Sequence, residues 1–138
     1  MQKLKQLNHL LIEFYDKLSS WEQSVVKETG YTLAQVHTIE VLGSHGPMRM
    51  KELADRLSIT TGTLTVQVDK LVKAGLIVRL PQESDRRSIL VDLTPEGRAL
   101  HEHHNALHLA LVEDLTRHLS SEEQQMLITS MTKINREF

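Results

Sequence analysis

The chain has 138 residues, no cysteine, and aromatic side chains at only 4% of positions. That length suits one domain, or a domain whose ends complete a partner's core, and the core has to be aliphatic. Without cysteine there are no disulfides, no thiolate metal sites and no thiol redox sensor. The formal net charge of −2 hides an uneven distribution. Residues 1–48 carry four Lys/Arg against five Asp/Glu, residues 49–98 nine against seven, and residues 99–138 three against six. The sign favours the middle as the part that faces phosphate and the ends as something else.

In chain order, Leu4, Leu7, Leu11, Phe14, Leu18, Trp21 and Val25 recur at alternating steps of three and four, the spacing of a helical seam. At about 1.5 Å per residue such a helix runs about 35–40 Å, too long for a small globule to cover alone. Lys, Asn, Glu and Asp interrupt the apolar pattern of Met1–Leu18, so no signal peptide is expected. The apolar runs are too short to span a bilayer, and a cytoplasmic protein with no membrane partner is the expectation.

A second helix is predicted over Leu33–Ser44, with Val36, Ile39, Val41 and Leu42 inward and Gly43–Pro47 closing it. Two short helices follow, Glu52–Leu57 and Thr60–Leu71. Leu53, Ala54 and Leu57 face Leu64, Val68 and Leu71. Two β-rich runs come next, Leu76–Leu80 and Ser88–Leu93, the latter alternating Ile89, Val91 and Leu93 with polar or edge positions. Residues 81–87 join them as a turn carrying Asp85, Arg86 and Arg87. Thr94-Pro95-Glu96 opens a long helix, with Thr94 as N-cap and Pro95 where its missing donor costs nothing, and the helix is expected to run to about Leu119. Ser120-Ser121-Glu122-Glu123 caps a last helix with Leu127, Met131, Ile134 and Phe138 on one stripe.

This order predicts a mainly α chain with a small β-wing, a winged helix-turn-helix at residues 33–94. Residues 1–32 and 95–138 supply dimerisation helices for a homodimer interface. Double-stranded DNA is the expected partner. On the reading helix Thr60 caps the N-terminus, and Thr61, Thr63, Thr65, Val66, Gln67 and Lys70 form the DNA-facing set. Threonine hydroxyls and helix N-terminal N–H groups suit phosphate, Val66 a thymine methyl, and Gln67 a bidentate contact to adenine, while Lys70 reaches backbone. At the wing tip one arginine is expected in the minor groove, held by Asp85.

With Glu52-Leu53-Ala54, Gly75-Leu76-Ile77, Asp85-Arg86-Arg87 and Leu93-Thr94-Pro95-Glu96-Gly97, the chain resembles the multiple-antibiotic-resistance regulator (MarR) family of winged-helix repressors over nearly its whole length. The resemblance implies a triangular homodimer, a pseudo-palindromic operator, and an effector bound between the dimerisation and DNA-binding parts. Two positions depart from it. Val66 stands where many members have an arginine or similar residue, and no helix cap is present near Arg49. A narrower resemblance, to the fatty-acid-biosynthesis repressor subgroup, rests on residues 36–43, on Gly62-Thr63-Leu64-Thr65, and on Gly97–His101 continuing to His104 and His108. It implies an acyl chain as effector.

Five of the eight histidines, His37, His101, His103, His104 and His108, cluster by element. His101, His104 and His108 share a helix face, and His104/His108 has the i,i+4 spacing of a zinc chelate. Two readings stay open: a zinc-responsive regulator using that face, or side chains lining an effector site with Trp21, His37 and Glu40. The second is preferred, with no cofactor and no resident metal. No nucleophile motif, glycine-rich phosphate loop or HExxH is present, so the chain is not expected to be an enzyme. A dimer that binds only other proteins is the remaining alternative.

The arginine pair at residues 86–87 yields a direct expectation. Arg87→Ala should cost about 1–3 kcal/mol of DNA affinity and lower the salt dependence by about one ion. Titrations across several salt concentrations measure both, and unchanged binding would remove Arg87 from the interface.

Overall fold

The computed structural model describes residues 1–82 and 85–138, with the backbone alone at 85–88. It separates into two compact units, Met1–His101 and Glu102–Phe138.

The first unit opens with α1 (Gln2–Thr29), a single helix of 28 residues. Val26 is its buried residue, while Leu4, Leu7, Leu11 and Phe14 are each at least half exposed. The first part of the seam read from the sequence is therefore uncovered in the protomer, whereas Leu18, Trp21 and Val25 are partly buried. α2 (Leu33–His45) starts at a reciprocal cap: Gln35 N donates to Thr32 Oγ1 at 3.1 Å and Thr32 N to Gln35 Oε1 at 2.9 Å. It buries Val36, Thr38, Ile39 and Leu42. Gly43, expected in a closing turn, lies inside this helix, which stops only at Gly46.

A two-residue strand that periodicity did not reveal, β1 (Met48–Arg49), precedes α3 (Met50–Leu57). The N-cap of α3 is Arg49, which makes no side-chain cap bond, as the departure at that position implied. α4 (Thr61–Lys73) begins where Thr60 was expected to cap it. Leu64, Val68 and Leu71 have no exposed surface and join Ile39, Leu42, Leu53 and Ala54 in one aliphatic core, against which Leu57 is partly buried.

The end of α4 is fixed by its backbone. Gly75 at φ +78 lets Gly75 N donate to Val72 O and Leu76 N to Leu71 O, both at 3.0 Å, which closes the last turn in a Schellman motif. β2 (Ile77–Gln82) and β3 (Asp85–Leu93) then pair antiparallel, with β3 central in the order β1-β3-β2. Ile77 sits opposite Leu93 and Arg79 opposite Val91; Ile77, Val91 and Leu93 are buried, whereas Ile89, further out, is exposed. The strands extend beyond the expected runs, into residues read as a turn. Pro81 fits because β2 is an edge strand and the register shifts between Pro81 and Gln82.

α5 (Pro95–Leu115) opens at Thr94, whose Oγ1 accepts from Gly97 N at 3.1 Å. It ends four residues short of Leu119. In the second unit α6 (Ser121–Arg136) is started by a capping box between Ser120 and Glu123. It buries no residue and leaves Leu127, Met131, Ile134 and, beyond its end, Phe138 exposed.

A Cβ at Gly97 would collide with the Leu76 carbonyl oxygen, a backbone atom that cannot rotate away. Gly97→Ala is expected to destabilise by about 1–3 kcal/mol through this overpacking. Urea unfolding would show a lower midpoint at unchanged slope. A midpoint equal to that of the parent would mean that α5 is free to shift.

Candidate nucleic-acid interface

α4 presents its outer face because its inner one is fully used by Leu64, Val68 and Leu71. Its first turn is organised by Thr60. The Thr60 hydroxyl accepts from Thr63 N at 3.1 Å and donates to Thr63 Oγ1 at 3.0 Å. Thr63 thus receives a proton from Thr60 and keeps its own for a donor contact outward, which suits an anionic oxygen. Thr65 is committed differently, donating to Thr61 O at 2.8 Å, so toward any ligand it offers only lone pairs. The threonines look equivalent in sequence, and they are not equivalent as phosphate donors.

Val66 is 57% exposed, an apolar side chain held in water at the middle of a polar face. Lys70 is exposed one turn on. Gln67 is half-buried, beside Thr38 of α2. Together with Thr32, Gln35 and Thr63 these three line an open groove of about 360 Å³ between α4 and the start of α2. None of the six is acidic, so the groove does not repel a phosphate. The contribution of Thr32 and Gln35 was not foreseen, although Thr32-x-x-Gln35 is the sequence signature of a capping box.

The wing is tied to the reading helix by Arg79 of β2, whose Nη2 lies 2.5 Å from Asp69 Oδ1 of α4. This pair also escaped the sequence reading, because residues ten apart in two element types carry no periodic signal. The side chains of Asp85, Arg86 and Arg87, predicted at the wing tip, lie outside the described residues.

The residues expected near an effector fall into two groups. In the first unit His101 Nδ1 is 3.1 Å from Glu40 Oε2, and the imidazole lies over Gly43, where a Cβ would overlap the ring. This explains the glycine inside α2. Trp21 is partly buried, whereas His37 is exposed and makes no hydrogen bond or ion pair among the described residues. In the second unit His104 and His108 stand one turn apart, Nε2 to Nε2 at 3.2 Å, with rings edge to face.

A capped reading helix on a three-helix core, flanked by a small antiparallel sheet, defines a winged helix-turn-helix protein. The MarR family model matches residues 31–89. The multiple antibiotic resistance protein MarR of Salmonella typhimurium is 31% identical over 132 residues, covering 95% of this chain and 90% of that protein. Among solved structures, Streptococcus pneumoniae FabT in complex with DNA superposes with a TM-score of 0.86 at 26% identity, covering 96% of this chain and 95% of FabT. NadR in complex with 4-hydroxyphenylacetate superposes at 0.74 with 26% identity, covering 93% and 91%. The chain belongs to the MarR family of transcriptional regulators. These relatives are regulators and not enzymes, and no helix among the described residues is long and apolar enough to cross a membrane.

The Thr60 cap gives a local prediction. Thr60→Ala should cost about 1 kcal/mol of stability, and Thr60→Ser should restore most of it, because serine supplies the same oxygen to Thr63 N. Equal unfolding midpoints for Thr60→Ala and the parent would show that the cap is not formed.

Proposed function

We propose that the protein is a cytoplasmic, homodimeric repressor that binds a pseudo-palindromic operator and is modulated by an effector. The observation that carries this reading is the outward face of α4. An isolated apolar residue, donor hydroxyls and a lysine stand ready there on a helix whose other face is sealed in the core. FabT, similar over nearly its whole length, was solved with DNA bound.

In this reading Thr61, Thr63 and Lys70 hold phosphates, Val66 meets a thymine methyl, Gln67 reads a base edge, and Arg86 and Arg87 reach the groove beside the wing. Thr65 contributes as an acceptor only. The wing and α4 bring positive charge from the middle of the chain, while the acidic ends stay away from the duplex. Dimerisation falls to the helices of residues 1–32 and 95–138. The stripe Leu4, Leu7, Leu11 and Phe14 supports this, because it leaves a contiguous apolar face in water until a second copy covers it. Two reading helices about 34–36 Å apart would then enter successive major grooves.

The effector is a small molecule or an acyl chain, as in the fatty-acid-biosynthesis subgroup that residues 36–43, 62–65 and 97–108 resemble. NadR was solved with 4-hydroxyphenylacetate, a phenol that carries an acetate side chain. In this chain the Glu40–His101 pair and Trp21 are the candidate contacts in the first unit, with His104 and His108 in the second. By population shift, the effector changes the share of dimers whose reading helices have the operator spacing.

A gel shift with the DNA upstream of the protein's own gene tests the reading. The expected dissociation constant is about 10⁻⁸ M or tighter at physiological salt, weakening steeply as salt rises. Leu11→Asp, placed in mid-stripe, is expected to yield monomers by analytical ultracentrifugation and to weaken operator binding by about 100-fold or more. Retention of no duplex at low salt, or a parent protein that sediments as a monomer, would overturn it.

A further inference from the structure

Thr38 is a threonine in the middle of α2 with no exposed surface, and its hydroxyl has two neighbours. One is Ala34 O at 2.9 Å, one helical turn back; the other is Gln67 Oε1 at 3.4 Å, on α4. A hydroxyl carries a single proton. The bond to the i−4 carbonyl is the common one for a helical threonine and is here the shorter by half an ångström, so the proton goes to Ala34. Toward Gln67 the Thr38 oxygen then shows only lone pairs. Oε1 opposite lone pairs is repulsive, whereas a half-turn about the terminal torsion of Gln67 brings Nε2 to the same place as a donor. The half-turn satisfies both side chains without moving either helix.

The choice between the two amide orientations has a functional consequence. With Nε2 outward, Gln67 would offer the groove a donor, which phosphates, purine N7, guanine O6 and thymine O4 all accept, so it would discriminate poorly. With Nε2 inward, Oε1 faces outward as an acceptor, and duplex DNA presents hydrogen-bond donors in the major groove only on the amino groups of adenine and cytosine. Nε2 has two protons. One is taken by Thr38, and the other lies beside Oε1, where a bidentate contact to adenine N6 and N7 needs it. Cytosine can satisfy only the oxygen.

We propose that Thr38, buried and out of reach of DNA, is a positioning residue for sequence readout. Its hydroxyl holds the Gln67 amide with Nε2 inward, so that Gln67 recognises an adenine in each half-site. This inference rests on the DNA-binding reading above and adds a residue to it.

The test is selection from a fully randomised duplex library by the full-length protein, followed by affinity measurements on the winning duplex with single base pairs replaced. The parent is expected to prefer A·T by about tenfold or more at one position per half-site. Gln67→Ala should abolish that preference, and Thr38→Val, which keeps the volume and loses the hydroxyl, should relax it while sparing all other positions and the salt dependence. Thr38→Ser should keep it. A purely structural role for Thr38 would lower stability or shift all affinities together. Thr38→Ala, with melting followed by circular dichroism, provides a second hydroxyl-free variant and should relax the same position. A parent-like preference in folded Thr38→Val or Thr38→Ala, or a consensus unaltered by Gln67→Ala, would overturn the inference and leave DNA binding intact. Enrichment of no duplex by the parent would overturn both.

Discussion

Thr94 makes the contacts on which the working geometry depends. Its backbone N–H donates to Leu76 O at 3.0 Å, its hydroxyl donates to Gly75 O at 2.6 Å, and that same oxygen accepts from Gly97 N. One residue therefore joins the end of the reading helix, the base of the wing and the start of α5. Each such bond contributes only about 1 kcal/mol net, but an unmade buried donor or acceptor costs more than that. The relative orientation of these three elements is thereby set at one junction. Gly97 completes it by removing the Cβ that would push α5 off the Leu76 carbonyl.

The Arg79–Asp69 pair is a second tie between wing and reading helix, and a weaker one. Asp69 is about half exposed, and surface pairs of this kind give about 0–1 kcal/mol. Its value is directional. The pair adds no net charge, but it fixes β2 against α4 at one point. The chain as a whole is net negative and only its middle is positive. In the proposed DNA recognition, charges and donors held in place therefore carry the specific contacts.

Much of the architecture was legible in the sequence because helix ends are written in local chemistry. Thr60, Thr94 and Ser120 each cap the helix they were expected to cap, since an N-cap needs only one side chain and the backbone two or three residues on. What stayed hidden depends on partners distant in sequence. The strand β1 is too short for a period and exists because β3 offers it an edge. Gly43 reads as a helix terminator, yet it sits inside α2 because the ring of His101 occupies the space its side chain would fill. Pro81 reads as a turn residue, and only the strand order shows that it lies on an edge. Within the site, the composition of the α4 face was legible. The division of labour among its threonines was not, because which proton is already spent depends on neighbours one turn away.

The same dependence bears on how such a protein acquires a new operator. Altering the exposed residues of α4 changes what is offered to the groove, but each side chain is offered in an orientation set behind it. Thr60 orients Thr63, Asp69 meets Arg79, and Gln67 leans on α2. The centre of that face is Val66, an apolar side chain that brings no charge there. On the flanks of the helix the orientations depend on residues outside it: Arg79 of β2 beside Asp69, and Thr38, with no exposed surface, behind Gln67. Exchange of the reading helix alone between relatives would carry the letters across and leave their supports behind.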